Sequence, residues 1–211
     1  MKIRVFITDD HVVVRKGLRG ILEECEDIEV VGEAPDYSGL VAGLRDKQVD
    51  VLVIDVAMPG KNGIDALKQL VGERPGLKAL VVSMYPEDQF ALRALKAGAS
   101  GYLTKTSGPD RLVDAVRTIA AGRKFVTPEV AQALANNVAG GSEALPHTAL
   151  SDREFQTLRL IASGKKLAAI ADEMAISVKT VSVYRARLLE KMQMKSTAEL
   201  TRYAVEHKLL D

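Results

Sequence analysis

At 211 residues, 47% hydrophobic and 27% charged, the chain has the make-up of an ordinary soluble globular protein of one or two domains. Its single cysteine, Cys25, excludes an internal disulfide and a cysteine-clustered metal site. No apolar run reaches the ~20 residues of a membrane span and residues 1–10 lack a signal-peptide core, so the expected location is the cytoplasm, with no membrane partner. The net charge of +1 hides an asymmetry: residues 1–120 sum to −2 and residues 145–211 to +3, a weak hint that the tail faces a polyanion.

In chain order, a β-rich run at 3–8 stops at Asp9 and Asp10. Residues 13–24 place Val14, Leu18, Ile21 and Leu22 on one helical side. A strand at 28–34 and a short helix at 38–45 follow. Residues 51–54 are an unbroken apolar run that ends on Asp55 and turns through Pro59, Gly60 and Gly63. Such a strand wants a parallel sheet with helices on both faces. Helix 62–73, strand 77–83, helix 87–97 closed by Gly98, strand 101–105 and helix 107–121 complete five strand–helix pairs. That alternation predicts an α/β flavodoxin-like doubly wound sheet of five parallel strands in the order 2-1-3-4-5.

Beyond residue 121 the alternation stops. Thr127 as N-cap and Pro128 at the first helical position start a short helix to Val138. The glycine-rich run 139–146 has the composition of a flexible linker. We therefore draw domains at 1–121 and 148–211, with 122–147 as a linker that includes a short helix. The second domain reads as four helices, with capping boxes at Ser151 to Glu154 and Ser196 to Glu199.

Open α/β sheets gather chemistry at the carboxyl ends of their strands. Asp9, Asp10 and Asp55 would meet there, and three close carboxylates repel unless a hard cation such as Mg²⁺ relieves them. Ser83 ends the fourth strand and Lys105 the fifth, offering a hydroxyl and a compact positive charge. Carboxylate, cation, lysine and hydroxyl together suggest an aspartyl-phosphate site. Taken singly, each residue has a plainer reading: a solvated turn, a strand-end cap or a surface lysine, with Tyr102 as core and His11 as a helix N-terminal residue.

With these residues in view, 1–121 resembles a response-regulator receiver domain of two-component signalling. The matching features are Asp9, Asp10, Asp55 followed by Met58, Pro59, Gly60 and Gly63, then Ser83, Ala97 to Ala99, Gly101 to Leu103 and Lys105. The resemblance implies that Asp55 accepts a phosphoryl group from a histidine kinase. It also implies that Asp10, Asp55 and the Ala57 carbonyl hold Mg²⁺, with Asp9 acting directly or through water. Lys105 would contact the phosphoryl group, Ser83 would move toward it, and Tyr102 would change rotamer. Thr106 stands where many receivers have proline, so a trans peptide or a reshaped loop is expected after Lys105.

The pair of helices at 167–175 and 178–192 has the shape of a helix-turn-helix. In its second helix Val181, Leu188 and Met192 form the buried side, with Tyr184 or Arg185 between. Lys179, Ser182, Val183, Ala186 and Arg187 recur on the other side. A four-helix bundle with a solvated basic face gives the same pattern. Residues 150–154, Ile170, Ala171, Met174 and the run 176–181 make 148–211 similar to the NarL/LuxR-type DNA-binding domain. That similarity implies phosphate contacts from Lys179 and Thr180, base-edge contacts from Ser182, Val183 and Ala186, and a last helix that pairs two subunits. Tyr184 stands where histidine is frequent. The chain is thus expected to be a phosphorylation-switched regulator that binds promoter DNA as a homodimer, with no enzymatic turnover beyond self-phosphotransfer and slow autodephosphorylation. The competing readings are a constitutive DNA-binding regulator whose receiver no longer signals, and an aspartyl-phosphate hydrolase.

Overall fold

The computed structural model describes residues 2–58, 61–85, 87–138, 145–207, 209 and 210. Pro59, Gly60 and most of the glycine-rich linker lie outside the described residues. The chain divides into two compact units, Met1–Ala135 and Asn136–Asp211.

The first unit contains β1 (Ile3–Thr8), α1 (Val12–Glu23), β2 (Ile28–Ala34), α2 (Tyr37–Arg45), β3 (Val51–Ile54), α3 (Gly63–Glu73), β4 (Ala79–Ser83), α4 (Glu87–Lys96), β5 (Gly101–Thr104) and α5 (Pro109–Ala120). Helix α6 (Pro128–Val138) spans the boundary of the two units. All strand pairs are parallel, in the order β2-β1-β3-β4-β5. One face of the sheet buries Val5, Ile7, Val51, Val53, Leu80 and Val82 against Leu18 and Leu22 of α1 and Leu112, Val116 and Ile119 of α5. The alternate residues Phe6, Leu52, Ile54 and Val81 are equally buried. A strand buried on both faces has no polar side to alternate with, which is why β3 is an unbroken apolar run. Each such side chain contributes roughly 1.5–3 kcal/mol on leaving water.

The first unit continues past residue 121, the receiver boundary expected from the sequence. Phe125 forms a parallel bridge with Gly101, and its N–H donates to the Ser100 carbonyl at 2.9 Å. Residues 122–125 therefore turn back along the exposed edge of β5, covering backbone groups that an edge strand leaves unpaired. A linker composition gives no sign of this, because one backbone pairing needs no apolar repeat.

In the second unit a 3-10 turn (Pro146–Ala149), not foreseen, precedes α7 (Asp152–Ala162), α8 (Leu167–Glu173), α9 (Val178–Lys191) and α10 (Thr197–Glu206). Both halves of the Ser151 and Glu154 capping box are present. Glu154 also accepts from Lys191 at 2.7 Å, tying the start of α7 to the end of α9. Helix α8 stops short of the expected Ala175, which takes a left-handed φ of 50°. For an alanine that conformation costs roughly 1–2 kcal/mol, and the tight turn into α9 sustains it.

Candidate functional site

The strand order brings the ends of β1 and β3 side by side, and the Asp55 N–H donates to the Thr8 carbonyl at 2.8 Å. Asp9 and Asp55 are buried, at 1% and 2% exposure, while Asp10 is half-buried. Lys105, just past β5, places its Nζ 2.7 Å from Asp55 Oδ2 and 2.6 Å from Asp9 Oδ2. Its own N–H donates to the Ser83 carbonyl at 2.7 Å, so the lysine is aimed by the β4–β5 ladder. The Lys105–Thr106 peptide is trans; among the described residues no peptide is cis.

Burial pushes the Asp55 carboxyl above the usual range; Lys105 pulls it back without cancelling the effect, and Asp9 adds to it. Burial alone would lower the Lys105 ammonium, but Asp55 and Asp9 outweigh it and hold the group up. One lysine among three carboxylates leaves an excess of negative charge in a poorly solvated place. Asp55 Oδ1 is buried and meets no hydrogen-bond donor among the described residues. An oxygen-rich cluster with an orphaned carboxylate atom fits a hard divalent cation such as Mg²⁺. Ligand atoms of Asp9, Asp10, His11 and Asp55 lie within 4.8 Å of one another. Ala57 is half-buried, and its backbone favours the ionised Asp55 carboxylate.

Gly63 explains how α3 can begin so close to Asp55. A Cβ there would sit 1.9 Å from the Asp55 carbonyl oxygen, while the Gly63 N–H donates to the Val56 carbonyl at 2.9 Å. Asn62 caps α3 by accepting from the Ile64 N–H. The turn thus demands a glycine for space, a reason the bare sequence did not reveal.

Ser83 is fully buried, and its Oγ accepts from the Tyr85 N–H at 3.3 Å. Tyr102 is 1% exposed and donates its hydroxyl to the Tyr85 carbonyl at 2.7 Å. Burial pushes its phenol up. Ser83 and Tyr102 are therefore linked through one residue, Tyr85, whose ring stacks on Phe90 of α4 with centroids 4.3 Å apart. Glu87, at the start of α4, accepts a hydrogen bond from the Thr127 hydroxyl. The same hydroxyl accepts from the Val130 N–H, so Thr127 caps α6 as its sequence position foretold. The tie to Glu87 went unforeseen: 40 residues separate the two, and no local pattern carries that distance.

On α9 the inner side is as expected, with Val181, Leu188 and Met192 buried and Tyr184 and Arg185 both half-buried. Lys179, Ser182, Val183, Ala186 and Arg187 are exposed, and Thr180 is half-buried beside the cap residue Ser177. Thr180 donates its N–H to Ser177 Oγ, so its hydroxyl stands at the very start of the helix.

Residues 5–117 match the response regulator receiver domain, and residues 148–204 match the bacterial regulatory proteins of the luxR family. The chain is 37% identical to response regulator GacA of Pseudomonas aeruginosa over 99% of this chain and 98% of that protein. It is 34% identical to response regulator UvrY of Escherichia coli over 98% and 95% of the two chains. Among solved structures, RcsB of Salmonella enterica serovar Typhimurium, bound to promoter rprA in the presence of the phosphomimetic BeF3-, aligns with a TM-score of 0.68. It is 28% identical, covering 96% of this chain and 98% of that one. A structure of two RcsB dimers on two parallel DNAs aligns at 0.60 with 28% identity, covering 97% and 98%.

Proposed function

Since the chain belongs to the response regulators of two-component signalling and is a transcriptional regulator of that kind, we propose that a sensor histidine kinase phosphorylates it on Asp55. The observation that carries this reading is the Asp55 carboxylate itself. It is buried, its Oδ2 is held by Lys105, and its Oδ1 is free of any described donor. Oδ1 attacks phosphorus, the bond from phosphorus to the kinase's histidine nitrogen breaks, and the electron pair stays on that nitrogen.

Asp9, Asp10 and Asp55, with the Ala57 carbonyl, would hold Mg²⁺, which supplies charge neutralisation for the incoming phosphoryl oxygens. Lys105 is bound to two carboxylates before transfer and turns one of its donors to the phosphoryl group. Ser83 supplies a hydroxyl to the same group. Its movement withdraws the acceptor of the Tyr85 N–H, loosens the Tyr102 latch on the Tyr85 carbonyl and shifts α4, to which Thr127 ties the start of α6. The phosphoryl group biases this equilibrium only by its differential interaction with the two arrangements.

The output is promoter DNA, met in the cytoplasm. Lys179, Thr180 and Arg187 serve phosphates, and Ser182, Val183 and Ala186 present short side chains to base edges. Two copies reading twofold half-sites suit α10, whose Ala198, Arg202 and Val205 are exposed on one side. The protein turns over no independent substrate beyond its own phosphotransfer and slow loss of the group.

In the test, intact protein and Asp55→Asn are incubated with a small phosphodonor and Mg²⁺, and phosphoprotein and DNA binding are measured. Wild type is labelled and changes its DNA affinity; Asp55→Asn does neither while retaining its fold by circular dichroism. Labelling that persists in Asp55→Asn sinks the site assignment. DNA affinity indifferent to phosphodonor in wild type would instead favour a constitutive regulator.

A further inference from the structure

His11 is the N-cap residue of α1, yet its side chain makes no capping hydrogen bond. Its backbone is held by the acidic cluster itself: the His11 N–H donates to Asp9 Oδ1 at 2.8 Å. The His11 carbonyl accepts from the Arg15 N–H at 3.0 Å, closing the first turn of α1. The ring therefore hangs from a fixed Cα at the mouth of the site, 64% exposed. Nδ1 lies 2.7 Å from Asp10 Oδ1 and 3.5 Å from Asp9 Oδ1. Adjacent ligands in a six-coordinate shell with bonds of about 2.1 Å stand about 3 Å apart, and opposite ones about 4.2 Å. The 4.8 Å spread of the four donor residues is thus within a small ring or carboxylate rotation of a coordination shell.

Within the cluster Asp55 Oδ1 is buried and unpartnered, although Lys105 holds Oδ2, and the negative charge is only partly offset. Resting on the receiver reading above, we propose that His11 supplies a nitrogen ligand to this site, so that the rim favours a transition ion such as Mn²⁺ over Mg²⁺. Imidazole nitrogen is a good donor to first-row transition ions, whereas Mg²⁺ takes oxygen and keeps its waters. A neutral imidazole adds a donor without adding charge, so it alters which ion is chosen more than whether one binds. The competing role is that Nδ1–H merely donates to Asp10 and orients it, which would help both ions alike.

Full-length protein separates these roles with Mn²⁺ and Mg²⁺ alone as probes. Mn²⁺ affinity is measured by electron paramagnetic resonance and Mg²⁺ affinity by competition against it. Pulsed resonance on bound Mn²⁺ compares unlabelled protein with protein carrying ¹⁵N-histidine. The variants are His11→Ala and His11→Gln, the latter keeping a hydrogen-bonding group near Asp10. The expected wild-type spectrum shows a nitrogen coupling that changes with the histidine label and vanishes in both variants. Both variants lose about tenfold in Mn²⁺ affinity. Their Mg²⁺ affinity moves by less than about threefold, since that ion takes only oxygen. Bound Mn²⁺ without a histidine coupling overturns the proposal, as does an equal loss for both ions or full rescue by His11→Gln. Wild type that binds neither ion would overturn the receiver's metal reading and this proposal together.

Discussion

The rim of the first unit and the outer face of α9 both use charge, in opposite surroundings. Asp9, Asp55 and Lys105 keep side chains only 1–6% exposed, and the two carboxylates meet on one ammonium. Lys179 and Arg187 stand in water. In the buried cluster each charge is strongly felt by the others, and removing the one ammonium would leave the carboxylates uncompensated. On the exposed face each charge is screened and adds its own small increment when a polyanion arrives. The first arrangement makes a switch, whose parts work together or not at all. The second makes a graded surface, whose affinity is tuned residue by residue.

Substitutions can break or sharpen that contrast. The largest effect is expected at Gly63, where a methyl group would meet the Asp55 carbonyl oxygen. Gly63→Ala should cost about 3 kcal/mol in urea unfolding, as backbone is forced to shift, and should slow phosphorylation of Asp55 in parallel. Ser182→Ala on the exposed face should stay within about 0.5 kcal/mol of wild type in the same measurement. Equal stability of the two variants would remove the argument that the rim is tightly built.

Asp55→Asn, besides blocking labelling, should raise metal-free stability by about 1–2 kcal/mol, because a buried charge with an unpartnered oxygen is replaced by a neutral amide. A fall in thermal midpoint without metal would show that the pair with Lys105 outweighs burial. Lys179→Ala should leave stability alone and reduce the slope of log affinity against log salt by about 0.9 on duplex DNA. That loss should be the same on specific and random sequences, whereas Val183→Ala should change the preference between sequences.

A pH-dependent effect is expected at Glu154. Burial alone would raise its carboxyl, but Lys191 and the Ser151 cap outweigh burial and hold it below 4.5, its ordinary value. Its stabilisation is therefore fully present above about pH 4.5 and is lost as pH falls through the lower folded value. Glu154→Gln should cost about 1 kcal/mol at pH 7 and progressively less in acid. A deficit independent of pH would mean that shape rather than charge matters at this cap.

Much of the molecule was legible in the chain because its signals are local. The β3 run 51–54, the caps Ser151, Ser177 and Ser196, and the helical stripe of Val181, Leu188 and Met192 each lie within a few residues. Helix ends were displaced by one or two positions, as at Ala175, where a left-handed residue ends α8 with no glycine to announce it. The return of Phe125 along β5 and the 3-10 turn at Pro146–Ala149 have no period to be read.

By itself the sequence determined the alternation of strand and helix, and with it the sheet order that gathers strand ends. From that order came Asp9, Asp10, Asp55, Ser83 and Lys105 as candidates, with Asp55 at their centre. Only the tertiary structure decided how they are joined: Lys105 bridging two carboxylates, Tyr85 linking Ser83 to Tyr102, Thr127 reaching Glu87, and Gly63 leaving room for the Asp55 carbonyl. These contacts join residues far apart in the chain, and their distances are set by strand register and helix packing. Periodicity fixes which side a residue faces; only the assembled layers fix what it touches.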